Sequence, residues 1–180
     1  MKKKILIILL VFGLVTIIGF IGFEIYTGKI GNKVKYDNSH FGIATYRSNM
    51  DKDNDGVDDQ TDILNNVRSY IATKPKYDSK YYAGGYPDDG YGVCTDVVAF
   101  GLLGAGYDLR ELVNEDIKNN PDKYNIKVRD KNIDYRRVRN LLTYLERNSI
   151  NLPTDIKDID KWQGGDIVVF STHIGIVSDK

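Results

Sequence analysis

The stretch GYGVCTDVVAFGLLGAG, residues 90–106, holds the one cysteine of this 180-residue chain and decides how its fold is read. Gly90 and Gly92 mark a turn, Val97, Val98, Leu102 and Leu103 follow helical spacing, and Gly104-Ala105-Gly106 stops the run. The spacing predicts a helix that starts at or just after Cys94, with Thr95 and Asp96 in its first turn. A second stretch, GGDIVVFSTHIGIVSDK (164–180), reads as two short strands, Asp166–Phe170 and His173–Ser178, with His173 opening the second. A thiol becomes a good nucleophile where a helix N-terminus and an imidazole favour its charged form. The first amides of such a helix can also receive an oxyanion, and a strand gives the imidazole a rigid support. One Cys and one well-placed His are the minimum parts of a thiol hydrolase. The plain alternative is a buried Cys acting as a small hydrophobe.

Outward from that stretch, Ile63, Val67, Tyr70 and Ile71 predict a helix over Thr61–Thr73, ended by Lys74-Pro75. Tyr77 to Tyr91, rich in Tyr, Gly and Asp, reads as a surface-shaping loop. Asp108 is placed to cap a helix over Leu109–Asn119, and Asn132 to cap another whose apolar face is Ile133, Val138, Leu141, Leu142 and Leu145. Helices first and strands last make the class α+β.

The N-terminus is of a different kind. Three lysines at 2–4 precede Ile5–Phe23, 19 residues without a charge. A helix needs roughly 20 apolar residues to cross a bilayer. Residues 22–26 offer no small-residue cleavage pattern, so residues 1–23 read as a signal-anchor, a cleaved signal peptide being the alternative. The lysines stay on the cytoplasmic side, which makes the chain a single-pass protein of the cell membrane with its domain outside. Residues 24–50, polar and without periodicity, read as a tether. Residues 24–180 together carry 25 acidic residues against three fewer basic ones, and no basic run lies outside the tip, so nucleic acid is not an expected partner. A lone cysteine rules out an intramolecular disulfide.

In MDKDNDGVDDQTDI (50–63), Asp51, Asp53, Asp55, Gly56, Asp59 and Asp62 fall at positions 1, 3, 5, 6, 9 and 12 of a calcium loop. Asp58 in place of an apolar residue, Asp62 in place of the longer Glu, and the lack of a preceding helix distinguish the 51–62 segment from an EF-hand. The alternative is a solvated acidic turn in which Asp59 or Thr61 caps the helix that follows. Arg136, Arg137 and Arg139 could bind carboxylates or phosphates, or form a solvated face paired with Asp134 and Glu146. Trp162 and Tyr81, Tyr82, Tyr86 and Tyr91 read as core or groove lining.

Taken together, YYAGGYP (81–87), GVCTDVV (92–98), WQGGDIVVF (162–170) and HIGIVSD (173–179) resemble the NlpC-type papain-like cell-wall hydrolases. With AGYDLRELVNEDI (105–117) and NIDYRRVRNL (132–141), they look closest to the bacterial domain of unknown function family twelve eighty-seven, over roughly residues 59–180. The resemblance implies helices packed on a small antiparallel sheet, with Cys94 as nucleophile and His173 as base. It places Tyr82 beside the site as a hydrogen-bond donor, although packing on the glycine-rich loop is as good a reading. Tyr91, Thr95, Asp96 and Trp162 are the further site-lining candidates. Such domains continue with a third strand bearing the polar residue that orients the His, whereas this sequence ends at Lys180, soon after His173. Asp96 and Asp166 are the carboxylates that could replace it, against plainer roles at a helix N-terminus and in the turn after Gly164-Gly165. The expectation is a membrane-anchored extracellular cysteine hydrolase cleaving an amide bond in cell-wall peptide or protein, with no catalytic cofactor and calcium as a structural ion. The alternatives are an inactive module that binds cell-wall peptide and a calcium-stabilised surface domain.

Overall fold

Apart from Asp96, helix α3 (Cys94–Gly104) has no charged residue, and a helix apolar on nearly every side must be covered on nearly every side. In the computed structural model it packs against α2 (Asp59–Ala72), α4 (Leu109–Asn119) and strand β4 (Ile174–Ile176). Val98 and Ala99 lose all solvent contact, and Ile63 from α2, Val113 and Ile117 from α4, Leu141 and Ile174 close the core around them. Gly101 lets α2 and α3 approach closely: a Cβ there would lie 2.4 Å from a methyl of Val67.

The structure describes the backbone of residues 2–26 and all of residues 36–179; within the first stretch it describes the side chains of 12–24. Two compact units result, residues 1–36 and 37–180. The first holds helix α1, Lys2–Tyr26, on which Phe12, Leu14, Val15, Ile17, Ile18, Phe20 and Phe23 are exposed. Among the described residues no helix is long and apolar enough to cross a membrane. The first part of the expected span, residues 1–11, and the tether residues 27–35 lie outside the described side chains.

The second unit is α+β. After α2 come β1 (Lys76–Tyr77) and β2 (Tyr91–Gly92), a short parallel pair not foreseen from the sequence. Strands β3 (Ile167–Val169) and β4 pair antiparallel, Val168 opposite Gly175. Helix α4 has the predicted bounds, with the Asp108 carboxylate accepting from the Arg110 and Glu111 amides. Two expectations change. The single helix expected after Asn132 is two, α5 (Lys131–Asp134), capped by Asp130 rather than Asn132, and α6 (Val138–Asn148). The break frees Tyr135 to bury its ring and donate to the Gly85 carbonyl at 3.0 Å, and lets Arg136 turn inward. Residues 37–50 are not a loose tether. Gln163, buried, accepts from Asn38 Nδ2 and the Tyr46 amide and donates to the Ala44 and Asp160 carbonyls. A buried amide must have its hydrogen-bonding capacity filled, and this segment fills it.

Arg136 fixes where α3 begins. Its Nε and Nη2 lie 2.7 and 2.8 Å from the two Asp96 oxygens, and its Nη1 donates to the Lys80 carbonyl. Asp96 also accepts from the Val93 amide at 2.8 Å, so one carboxylate both caps α3 and anchors the guanidinium. Both side chains are buried, 5% and 0% exposed. Breaking such a pair strands a charge in the interior. Arg136→Ala should therefore lower the unfolding free energy by about 3–5 kcal/mol in chemical denaturation. A loss below about 1 kcal/mol would show the pair to be no stronger than a surface ion pair.

Candidate functional site

Cys94 occupies the first helical position of α3, half-buried, just after Val93, whose extended backbone (φ −127°) ends the approach from β2. The amides of a helix's first turn have no partner within the helix and point outward from this end. His173 immediately precedes β4 and is exposed, while its neighbour Ile174 is buried in the core. Its carbonyl accepts from the Phe170 amide at 2.8 Å, which closes the turn between the strands. Cys94 and His173 line the same cleft, of about 360 Å³, together with Tyr70, Pro75, Tyr77 and Gly92. Val67, Ile71, Val97 and Ile176 complete walls that are largely apolar.

The other candidates lie elsewhere. The Tyr82 hydroxyl donates to Asp89 at 2.8 Å and its ring sits 5.2 Å from the Arg136 guanidinium carbon. Burial and that carboxylate push the hydroxyl up to about 12. Tyr91 carries the Lys80 ammonium 3.3 Å over its ring, and Trp162 donates to the Asp155 carbonyl. Thr95 is buried and donates to the Arg136 carbonyl. Neither nominated carboxylate reaches the imidazole. Asp96 is held by Arg136, and Asp166 accepts from the Gln163 amide at 2.8 Å and from Gln60 Nε2 at 3.0 Å, fixing the turn before β3. Among the described residues no side chain hydrogen-bonds the His173 ring.

By its spacing Tyr70 is one more residue of a helical face, and the structure gives it a place in the cleft. Its ring stacks on Phe100, centroids 4.4 Å apart. Its hydroxyl is buried without a hydrogen-bond partner, against Gly92, where a Cβ would stand 2.3 Å from the oxygen. Burial, and then the charge of Asp96, raise its pKa. A tyrosine among the apolar residues of one helix face is the sequence signal that could have marked it.

The family described as domain of unknown function (DUF1287) matches residues 64–180. The chain belongs to the DUF1287 family. It is also 39% identical over 130 residues to the uncharacterized protein YijF of Escherichia coli (strain K12), a match that covers 65% of this chain and 63% of that protein. The chain thus spans less than two thirds of that relative's length. No solved structure matches it.

The DUF1287 match begins after the acidic loop. There, carboxylate oxygens of Asp51, Asp53 and Asp55 lie within 4.8 Å of one another, all three exposed. The loop folds around Asp51, which accepts from the Asp55 and Gly56 amides, and Gly56 takes a φ of 90°. Burial and then the charges of Asp55 and Asp53 raise the pKa of Asp62, so its carboxylate faces the same field. Asp59 departs from the expected ligand set. It is buried, accepts from the Lys52 amide at 2.7 Å and from the Tyr107 hydroxyl, and serves the fold. Asp58, not Asp59 or Thr61, caps α2 by accepting from the Thr61 amide. The arginine cluster also divides: Arg136 is buried on Asp96, whereas Asp134, the expected surface partner, is taken by Arg129.

Proposed function

We propose that this protein is a cysteine hydrolase that cleaves an amide bond, with cell-wall peptide as its substrate. The observation that carries the reading is Cys94 at the first position of α3 sharing a cleft with His173. His173 takes the thiol proton as Sγ attacks the carbonyl carbon, and the first amides of α3 receive the oxyanion. The C–N bond then breaks as the imidazolium returns the proton to the leaving amine. Water, deprotonated by the same imidazole, releases the acid and restores the thiol. The apolar walls suit an aliphatic side chain next to the bond that is cut. The papain-like reading and the wall-peptide substrate come from the likeness of the residues around Cys94 and His173 to the NlpC-type hydrolases. A second reading, a module of the same fold that binds wall peptide without cutting it, is favoured by the lack of an orienting partner for the His173 ring among the described residues.

Native protein should react with iodoacetamide at Cys94 faster than a free thiol, and His173→Ala should slow that reaction. On cell-wall preparations Cys94→Ser should abolish amine release, and His173→Ala should lower it by about a hundredfold or more. A Cys94 that reacts only after denaturation would sink the hydrolase reading. Reaction without turnover would leave the binding module.

The N-terminal segment belongs to the same proposal as a signal-anchor that holds the domain outside the cell. Expressed in a bacterium, the full chain should fractionate with membranes and be digested by protease added outside. A soluble product that starts near Glu24 would mean that the segment is cleaved instead.

The acidic loop is proposed as a structural calcium site formed by Asp51, Asp53, Asp55 and Asp62, without Asp59. Calorimetry should find one site at about 10⁻⁴ M or somewhat tighter, with a calcium-dependent rise in melting temperature. Affinity should fall as pH drops into the carboxylate range, where protons compete with the ion for Asp62, whose pKa is raised. Neither heat nor a shift in melting temperature would leave the loop as a plain cap for α2.

A further inference from the structure

Arg137 and Arg139 survive from the arginine cluster once Arg136 is accounted for, and their situation is unusual within this molecule. The chain has 25 basic and 25 acidic residues, so carboxylates are available for its cations. Among the described residues Arg47, Arg68, Arg110, Arg129, Arg136 and Arg147 each pair with one. Arg137 and Arg139 are the two arginines there that do not, and both line the same concavity of about 300 Å³. Lys127 lines it too, likewise without an ion pair among the described residues, and Asn125 and Val128 complete it. No acidic residue lines the concavity. No acidic residue lies in the first turn of α6, which begins between the two arginines, and no side chain caps that end. Asp134, the nearest carboxylate in sequence, is committed to Arg129 and to the Asp130 amide.

Three cations gathered in one concavity without a counter-charge repel one another unless an anion joins them. The chemistry of the donors selects among anions. A single carboxylate is matched by one guanidinium fork. Two forks and an ammonium match a tetrahedral oxyanion of higher charge, and guanidinium planes suit phosphate oxygens in particular. The concavity is larger than such a group alone needs. The Asn125 amide is available to a hydroxyl of an uncharged remainder. We infer that Lys127, Arg137 and Arg139 form a binding site for a phosphate ester. The site shares no lining residue with the Cys94 cleft and does not depend on the hydrolase reading.

The test uses the full chain and defined probes: inorganic phosphate, glycerol 3-phosphate, acetate, and vesicles of phosphatidylcholine with or without phosphatidylglycerol. Calorimetry should detect inorganic phosphate and bind glycerol 3-phosphate more tightly, with acetate silent. Arg137→Ala with Arg139→Ala should weaken the phosphate probes by about tenfold or more, because two charge-assisted contacts are lost. The double variant should keep the wild-type melting temperature and Cys94 alkylation rate, which separates loss of the site from loss of the fold. The vesicle arm identifies the source. Binding to phosphatidylglycerol vesicles in excess of phosphatidylcholine alone, lost in the variant, assigns the ester to a lipid headgroup. Binding of glycerol 3-phosphate without that excess assigns it to a soluble or polymeric ester. No binding of either phosphate probe at millimolar concentration, equal binding of acetate, or unchanged binding in a folded double variant would overturn the inference.

Discussion

The bidentate contact between Asp96 and Arg136 is the constraint on which the arrangement around Cys94 depends. Helix α3 is almost wholly apolar, so burial alone would let it slide or rotate among similar surfaces. A directional, desolvated ion pair removes that freedom. It ties the first turn of α3 to the break between α5 and α6, and through the Lys80 carbonyl to the tyrosine-rich loop. The same carboxylate accepts the Val93 amide, so the residue before Cys94 is held in place as well. The cost of burying two charges is offset here by the three hydrogen bonds that the guanidinium donates and the three that the carboxylate accepts.

Sequence reading reached those parts of the fold that rest on local physics. Helix α4 announced itself through Asp108 and periodic apolar residues, and α3 through a glycine turn followed by Val97, Val98 and Leu102. The hairpin of β3 and β4 was legible in its β-branched runs. What escaped were features decided by partners far along the chain. The break after Asp134 exists because Tyr135 and Arg136 find Gly85 and Asp96, which no local signal encodes. Residues 37–50 look like a linker by composition, and are drawn in by the needs of one buried glutamine.

The candidate site shows the same division. Cys94 and His173 could be named from a helix start and a strand start, two local signals. Tyr82, chosen by likeness, instead spends its hydroxyl on Asp89, while Tyr70 stands in the cleft with an unpaired one. Asp59 fits a spacing pattern for calcium and is diverted by Tyr107, a residue just beyond the end of α3. Spacing along a chain fixes which groups are near one another, but competition from distant donors decides which of them remain free.

That diversion has a mechanical side. Asp59 links the Lys52 amide in the acidic loop to Tyr107, and Gly106, at φ 81°, lies close under Lys52 and Asp53. Helix α3 is therefore clamped at both ends, by Arg136 at its start and by the acidic loop beyond its finish. A rod held in this way carries Cys94 as a fixed post. The opposite wall of the cleft is a two-stranded ribbon whose turn, Phe170 to His173, is exposed throughout. The sulfur is thus set on a helix tied at both ends, and the imidazole on an exposed turn whose next residue, Ile174, is held in the core.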